Sequence, residues 1–233
     1  MALLVERVVT FRGPVQVLHG VSVEVPRGLV VAVLGRNGMG KTTLVHTIMG
    51  MLVPKSGRIL LDGAAVHGLV PERVNRKGLA LMPQGHRIFP SLSVGENLNV
   101  AYRRGDGTNP WTIDEALEYL PLLRKRWKQR AGTLSGGEQQ MLTMGRTLLS
   151  NGVYVLLDEP AEGLAPAIVE QFGQIIRELR RRETGVLLIE QRFDFATRLA
   201  DVAYVMSRGV EVFKGTPDQL RADEVIKEKY LGM

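Results

Sequence analysis

The chain has 233 residues, of which 45% are hydrophobic and 23% charged, and it contains no cysteine. This length predicts one large domain, or one domain with an embedded subdomain, and the composition excludes disordered, collagen-like and disulfide-framework proteins. A formal net charge of +6 suits an anionic partner, although many proteins without such a partner are equally basic. The longest apolar runs, such as Leu29–Leu34, fall far short of the ~18–20 residues of a membrane-spanning helix, so we expect a soluble chain.

Strand and helix patterns alternate along most of the sequence. Apolar and polar residues alternate near the N-terminus, which predicts strands with one exposed face. Nearly all-apolar runs follow, as expected of parallel strands buried on both faces. These runs are Leu29–Leu34, Leu79–Met82, Val153–Leu157 and Val186–Ile189. Helical periodicity from Ile168 to Leu179, with Pro166 near its start, separates the last strand from the others. The order predicts an α/β core with right-handed crossovers.

One region departs from this alternation, because residues 85–151 are almost wholly helical in periodicity. We therefore predict a single domain over residues 1–233, with an α/β core and N-terminal β subdomain in residues 1–84 and 152–233. Residues 85–151 are the predicted helical subdomain. A surface helix is expected over residues 222–230. The predicted helices of the insertion are Val94–Tyr102, Ile113–Leu123 and Glu138–Leu149.

Residues 35–42, the phosphate loop, match the pattern G-x-x-x-x-G-K-[ST] that binds nucleotide phosphates. The match lies between a predicted strand and a predicted helix, Thr42–Met49, which is the context that this chemistry requires. Glycines let backbone N–H groups turn toward the phosphates, and the helix N-terminus adds partial positive charge. Lys41 is expected at the β- and γ-phosphates and the Thr42 hydroxyl at Mg²⁺.

Two carboxylates, Asp158 and Glu159, end the buried run Val153–Leu157. This arrangement places Asp158 near the metal ion, usually through a water, and leaves Glu159 to polarise a hydrolytic water. An apolar run ending in Asp-Glu is common in itself. The interpretation gains its weight from the phosphate loop earlier in the chain.

A third motif, LSGGEQQ, occupies residues 134–140, the signature segment. Ser135 and Glu138 form a capping box, which predicts the start of a helix. Capping alone does not account for Gly136 and Gly137, since glycine weakens a helical turn. A glycine-lined helix N-terminus exposes N–H groups to an anion. With two anion sites and one nucleotide per chain, we expect this site to serve the nucleotide of another subunit.

The order of GRNGMGKTT, LMPQ, LSGGEQQ and VLLDEP resembles the ATP-binding subunit of an ABC transporter over essentially the whole chain. LSGGEQ is specific to that superfamily. The resemblance implies the ABC ATPase fold, which is a P-loop NTPase core with a mixed sheet, an antiparallel β subdomain and a helical insertion. It also implies ATP and Mg²⁺ as ligands, and a head-to-tail dimer that holds two ATP molecules between residues 35–43 of one subunit and Ser135–Gly137 of the other.

The resemblance assigns a role to each motif residue. Glu159 is the general base, and Gln84 both binds Mg²⁺ and links the site to the membrane subunits. The implied metal ligands are Thr42, Gln84 and Asp158. The implied contacts to the partner's ATP are Ser135, Gly136, Gly137 and Gln139. The implied ATP-binding residues are Arg12, Gly35, Arg36, Asn37, Gly38, Met39, Gly40, Lys41, Thr42 and Thr43.

Three positions differ from the usual family pattern. Gln191 replaces the switch histidine that contacts the γ-phosphate, and a glutamine amide donates a hydrogen bond without carrying a proton. It is therefore expected to position the phosphate and to share the catalytic site with Glu159. Ala165 replaces the usual aspartate of the loop after the catalytic Glu, so any contact that this loop makes across the dimer must come from its backbone or from neighbours such as Glu162. Arg12 stands where an aromatic residue stacks on adenine; Phe11 is the alternative.

Longer stretches, including PQGHRIFPSLSVGENL and LLDEPAEGLAP, resemble the ATPase subunits of branched-chain amino acid importers. IEQRFDFATRLAD leans toward the closely similar urea or amide importers, and KYLGM toward the branched-chain type. The implied partners are a second, identical or non-identical ATPase subunit, two membrane permeases and a periplasmic or extracellular binding protein. The implied location is the cytoplasmic face of the cell membrane, with residues 86–98, including Ile88, Phe89 and Leu92, facing a permease.

Two other classes of function are compatible with parts of the sequence. The basic run Arg124–Arg130 contains Trp127, a pattern found in proteins that contact phosphates and stack bases. Nucleic-acid-associated ATPases of this fold usually have long coiled-coil insertions or two ATPase halves, for which 233 residues leave no space, so no nucleic-acid partner is expected. A regulatory nucleotide-binding module without turnover is the other alternative, since the usual histidine and aspartate are absent.

Overall fold

The computed structural model describes residues 1–85, 87–104 and 109–233. The strands in these ranges are β1 (Ala2–Arg12), β2 (Val15–Pro26), β3 (Val30–Leu34), β4 (Ser56–Leu61), β5 (Ala64–Ala65), β6 (Leu79–Met82), β7 (Tyr154–Asp158), β8 (Gly185–Glu190), β9 (Val202–Ser207) and β10 (Val210–Gly215). The helices are α1 (Lys41–Ile48), α2 (Pro71–Arg76), α3 (Val94–Ala101), α4 (Ile113–Tyr119), α5 (Pro121–Lys125), α6 (Gly136–Leu149), α7 (Pro166–Arg181), α8 (Phe193–Leu199), α9 (Pro217–Ala222) and α10 (Glu224–Ile226). None of these helices has the length and apolar character needed to cross a lipid bilayer.

The strands form two sheets. The smaller sheet is antiparallel, with strand order β2-β1-β4-β5, and the larger has the order β10-β9-β3-β8-β7-β6. In the larger sheet β9, β3, β8, β7 and β6 run parallel, and only β10 pairs antiparallel. The predicted fold class, an α/β core with a mixed sheet and an N-terminal antiparallel β subdomain, is confirmed.

Strand β3 shows why the core strands are apolar at every position. Val30, Ala32 and Leu34 face one hydrophobic core, which also contains residues of α6, α7 and α8. Val31 and Val33 face a second core, shared with β1, β2 and α1. Alternate side chains point to opposite faces of a strand, so a sheet covered on both faces requires apolar residues throughout. All five residues of β3 are buried.

In the described residues, the helical region between β6 and β7 contains α3, α4, α5 and α6, with a 3-10 turn at Ala131–Thr133 before α6. Ser93 and Ser135 cap α3 and α6, and in each case a glutamate three residues later completes the capping box. The side chains of α3 and α6 enter the same core as α7. The helical region is thus packed onto the face of the large sheet that carries α7 and α8.

One predicted helix is wrong in extent and a second differs in helix type. The predicted helix Ile113–Leu123 is divided into α4 and α5 at Leu120, whose φ of −126° and ψ of 59° are not helical. Pro121 explains the division, because proline opens a helix readily but disfavours helical backbone in the residue before it. The predicted surface helix over residues 222–230 is instead α10 followed by a π-helical turn at Lys227–Leu231. The other predicted strands and helices differ from the structure by two residues at most at either end.

Candidate nucleotide-binding site

The phosphate loop connects β3 to α1. Gly38 and Gly40 have φ values of 79° and 99°, a left-handed backbone that favours glycine. At Gly35 a Cβ atom would lie 2.5 Å from the carbonyl oxygen of Met206, so no side chain fits there. Helix α1 has no side-chain cap and no acidic residue in its first turn. Its first N–H groups therefore remain for an anion, which the helix dipole also favours.

Lys41 is buried at the start of α1, with 4% of its surface exposed. Its ammonium group donates hydrogen bonds to the carbonyl oxygens of Gly35 at 2.7 Å and Arg36 at 3.0 Å. The same Nζ lies 3.3 Å from Oε1 of Glu159, which is equally buried. The lysine expected at the phosphates thus pairs with the expected general base. A triphosphate entering this site competes with Glu159 for that cation.

Glu159 follows β7 directly and has a left-handed backbone, with φ of 52°. Non-glycine residues rarely adopt this conformation, which is often found at functional sites. Besides Lys41, two amide groups contact the Glu159 carboxylate: Nε2 of Gln191 donates to Oε1 at 2.8 Å, and Nε2 of Gln84 donates to Oε2 at 3.1 Å. Three donors therefore hold the carboxylate in one orientation.

The two glutamines connect Glu159 to the loops around it. Gln191 also donates to Oδ1 of Asn37 in the phosphate loop, at 2.6 Å. Gln84 also donates to Oε2 of Glu162, at 3.1 Å. The polar loops that follow β3, β6, β7 and β8 thus meet at the carboxyl edge of the parallel sheet, where ligands of α/β proteins bind.

Asp158 lies beside the hydroxyl group of Thr42, which hydrogen-bonds to its carboxylate. Burial, and then the charge of Glu159, raise the pKa of Asp158 to about 6. Its Oδ1 atom is buried and has no hydrogen-bond partner in the described residues. An unpartnered buried carboxylate oxygen next to a hydroxyl group fits a hard divalent cation such as Mg²⁺, which prefers oxygen ligands.

A cavity of about 350 Å³ opens over the phosphate loop. Arg12, Val17, Gln84 and Glu159 line it together with loop residues between Asn37 and Thr43. Nη2 of Arg12 donates to Nδ1 of His46 at 2.9 Å, and burial followed by the Arg12 charge lowers the pKa of this histidine. Phe11 lies outside the cavity wall, with Lys55 over its ring. The geometry therefore favours Arg12 over Phe11 as the residue beside a bound base.

The signature segment starts α6. Ser135 accepts the N–H of Glu138 at 3.4 Å, Glu138 accepts the N–H of Ser135 at 2.8 Å, and the amide of Gln139 donates to the Leu134 carbonyl at 3.1 Å. A Cβ atom on Gly137 would lie 3.0 Å from Cδ1 of Ile168 in α7. Among the described residues that line the phosphate-loop cavity, none comes from this segment.

Sequence reasoning missed Glu190, the last residue of β8. Its side chain is 2% exposed and accepts backbone N–H groups from Ala161 at 3.2 Å, Gln191 at 3.1 Å and Arg192 at 3.2 Å. Burial raises its pKa above the ordinary value. Glu190 thus joins the loop after β7 to the loop that carries Gln191. The signal in the sequence that could have identified Glu190 is a charged residue at the end of an apolar strand.

The basic run Arg124–Arg130 has local partners. Arg124 bonds to Asp114 at 3.1 Å and Arg126 to Glu138 at 3.5 Å. The Trp127 ring packs so closely on Gly95 that a Cβ atom there would lie 2.4 Å from Cε2 of the indole. A packed ring is not free to stack on a base, which favours a structural role for Trp127. His86, in the surface expected to face a permease, lies outside the described residues.

Comparison with known proteins agrees with this geometry. The ABC transporter family model matches residues 18–162. A high-affinity branched-chain amino acid transport ATP-binding protein, BraG of Pseudomonas aeruginosa, is 43% identical over 97% of this chain and 98% of its own length. A probable branched-chain amino acid transport ATP-binding protein, LivF of Archaeoglobus fulgidus, is 35% identical over 93% of both chains. The lipopolysaccharide export ATP-binding protein LptB of Escherichia coli is 33% identical over 93% of this chain and 91% of its own.

Solved structures show the same fold along the full length of the chain. A nucleotide-free ATP-binding cassette from an ABC transporter superimposes with a TM-score of 0.86 at 26% identity, covering 100% of this chain and 99% of the other. The ADP conformation of another such cassette gives a TM-score of 0.81 at 28% identity, with 100% of both chains covered. The chain therefore belongs to the ABC transporter family, as an ATP-binding cassette that hydrolyses ATP to drive transport.

Proposed function

We propose that this chain is the ATP-hydrolysing motor subunit of an importer for branched-chain amino acids or other hydrophobic amino acids. The observation that carries the proposal is the 43% identity to a branched-chain amino acid transport subunit along nearly the whole chain. The lipopolysaccharide export subunit has a lower sequence identity, 33%. A urea or amide importer is the second candidate, favoured by the stretch IEQRFDFATRLAD.

In the proposed cycle the triphosphate of ATP takes Lys41 as its counter-charge. Loss of the ion pair frees the Glu159 carboxylate to accept the proton of the attacking water. Gln191 and Gln84, which already donate to Glu159, keep the carboxylate oriented. Because Gln191 cannot carry a proton at neutral pH, Glu159 is the only base in this scheme.

The same residues are suited to hold Mg²⁺. Thr42, Asp158 and Gln84 supply hydroxyl, carboxylate and amide oxygen atoms, the ligand types that this ion prefers. When bound, Mg²⁺ would neutralise charge on the phosphates. The unpartnered Oδ1 of Asp158 supports this assignment.

The N-terminus of α6 is proposed to complete the site of a partner subunit. The wall of the phosphate-loop cavity in the same chain includes none of Ser135, Gly136, Gly137 and Gln139. These residues instead present N–H groups at the start of a 14-residue helix. This supports the head-to-tail dimer, with an identical or a second ATPase subunit. Two permeases and a binding protein complete the proposed transporter, with this chain at the cytoplasmic face of the membrane.

Transport in cells tests the proposed cargo. In a strain lacking this subunit, uptake of labelled leucine and of labelled urea is measured after complementation with the native chain or with Glu159→Gln. We expect the native chain alone to restore leucine uptake. Restored urea uptake with unchanged leucine uptake would assign the alternative cargo, and restoration of either by Glu159→Gln would contradict the motor role.

A further inference from the structure

A cavity of about 460 Å³ lies at the opposite edge of the large sheet from the phosphate loop. Gly78, Val153 and Thr184 line it, and each immediately precedes one of the parallel strands β6, β7 and β8. The phosphate loop follows the carboxyl end of β3, which runs parallel to β8. The two cavities are therefore on different sides of the molecule.

The charge of this second cavity is strongly one-sided. In the described part of the chain one carboxylate, that of Glu183, lines it together with six cationic side chains. Those six belong to Arg27, Arg76, Lys77, Arg103, Arg104 and Arg182.

Two of the six cations are already neutralised and four are not. Arg27 pairs with Asp62, and Arg182 pairs with Glu178 at 2.7 Å and Glu115 at 2.9 Å. The side chains of the remaining four make no hydrogen bond or ion pair within the described residues. Like charges around one cavity repel each other, and an anion bound there would remove that cost.

Hydrogen bonds connect the wall behind these cations. Asn151 has a left-handed backbone, with φ of 53°, and its amide donates to the carbonyl oxygens of Arg103 at 2.7 Å and Trp111 at 3.1 Å. Its Oδ1 accepts the N–H of Trp111 at 2.6 Å. The Trp111 ring is 3% exposed and carries the Arg182 guanidinium 3.9 Å from its centroid. The backbone of Arg103 is thus hydrogen-bonded to this wall.

These features define the chemistry of the ligand. Guanidinium groups bind phosphoryl oxygens through two parallel hydrogen bonds, which makes arginine the preferred residue for phosphate recognition. Several unpaired cations suit a ligand with several negative oxygens, and the volume is that of a small-molecule site. The buried Trp111 ring offers no face for stacking a base. We propose that this cavity binds a small anion with at least two phosphoryl groups, through those groups alone.

Isothermal titration calorimetry with inorganic pyrophosphate tests the site. Every chain in the test also carries Lys41→Ala, so that binding at the phosphate loop is weakened throughout. We expect the Arg103→Glu/Arg104→Glu pair to weaken pyrophosphate binding about tenfold or more, because two charge-assisted contacts are lost. The matched control is Lys125→Glu/Lys128→Glu, which makes a charge change of equal size with two exposed cations of the helical region. We expect less than about a twofold change there, since salt screens distant charges.

Equal weakening in both pairs would overturn the proposal, because only the overall charge would then matter. Absence of pyrophosphate binding to the Lys41→Ala chain would overturn it as well. ATP hydrolysis by the Arg103→Glu/Arg104→Glu chain with native Lys41 checks that the fold is intact. None of these results depends on the transported cargo.

A second arm distinguishes two sources of the same chemistry. The chain is sedimented with phosphatidylcholine vesicles containing cardiolipin, whose headgroup carries two phosphates. Sedimentation that pyrophosphate abolishes and that Arg103→Glu/Arg104→Glu lacks would support a lipid headgroup. Pyrophosphate binding without vesicle binding would support a soluble ligand.

Discussion

The most informative residue of the candidate site is Glu159, because one carboxylate meets Lys41, Gln84 and Gln191 at once. In this arrangement the proposed base and the proposed phosphate-binding lysine neutralise each other until a nucleotide enters. Glu159→Gln removes the base and the ion pair while preserving the side-chain shape. We expect ATP hydrolysis to fall by about 10²–10⁴-fold and ATP affinity to be retained or increased. Phosphate release and nucleotide titration measure the two effects, and an unchanged rate would exclude Glu159 as the base.

Gln191 is a second informative residue, because its amide group donates hydrogen bonds to both Glu159 and Asn37. Gln191→Ala removes both hydrogen bonds, and we expect kcat to fall about tenfold, as for the loss of one or two contacts of ~1 kcal/mol each. The ATP dissociation constant should change much less. Gln191→His keeps an N–H donor and should retain more of the rate than alanine does. Equal rates in the native, alanine and histidine chains would show that this position is silent.

At the scale of elements, a buried ion-pair cluster joins α7 to α4. Glu178 in α7 and Arg182, the residue that follows this helix, are each 6% exposed and lie 2.7 Å apart. Arg182 also reaches Glu115 of α4 at 2.9 Å. Glu178→Gln leaves Arg182 buried with a single charged partner, so we expect the free energy of unfolding to drop by about 3 kcal/mol. Urea denaturation measures this drop in the free energy of unfolding. Glu170→Gln in the same helix breaks half-exposed pairs and should cost less than about 1 kcal/mol; equal losses would contradict this ranking.

The same cluster predicts a dependence of stability on pH. Hydrogen bonds from Arg181, and then from Arg182, hold the pKa of Glu178 at about 2, against an ordinary value of 4.5. A carboxylate whose pKa is lowered by folding contributes stability that is complete above its unfolded pKa and is lost as the pH falls toward the folded one. The stability difference between the native chain and Glu178→Gln should therefore be constant at neutral pH and shrink between about pH 4.5 and 2. A difference that grows over this range would refute the assignment.

At the scale of the whole molecule, the phosphate loop and the N-terminus of α6 lie on one chain, but none of the described residues that line the phosphate-loop cavity belongs to α6. If they meet across a dimer, ATP should drive association when hydrolysis is blocked. We expect Glu159→Gln with ATP to sediment as a dimer in analytical ultracentrifugation. Adding Gly136→Asp should abolish the dimer, since a carboxylate at a helix N-terminus suits the helix but repels a triphosphate. ATP binding by the monomer should persist, and a dimer that survives Gly136→Asp would contradict the proposed interface.

Local patterns accounted for most of the fold and, in the candidate site, for the phosphate loop and the pair Asp158 and Glu159, whereas Gln84, Gln191 and Arg12 were expected only from the family resemblance. The spacing of Gly35, Gly40, Lys41 and Thr42 is sufficient to predict a phosphate-binding loop. The capping box of α6 likewise involves residues only three apart in the chain. A strand that is buried on both faces has apolar residues at every position, as β3 does, so its burial can be predicted from its composition. Pro121 is a signal for the division between α4 and α5. A single helix over Ile113–Leu123 is predicted instead because the hydrophobic periodicity continues through the proline.

Contacts between distant segments had no such local pattern. Glu190 joins the loops after β7 and β8, Gln84 and Glu159 meet across 75 positions, and the pair Arg182–Glu115 spans 67. The basic cavity collects cations from four separate segments, and no pattern of spacing connects them. The sequence by itself determined the strands, the helices and the phosphate-binding chemistry, because these depend on neighbours in the chain. Only the tertiary structure decided which charges meet and which remain unpaired, because that depends on how the parallel sheet brings distant loops to its two edges.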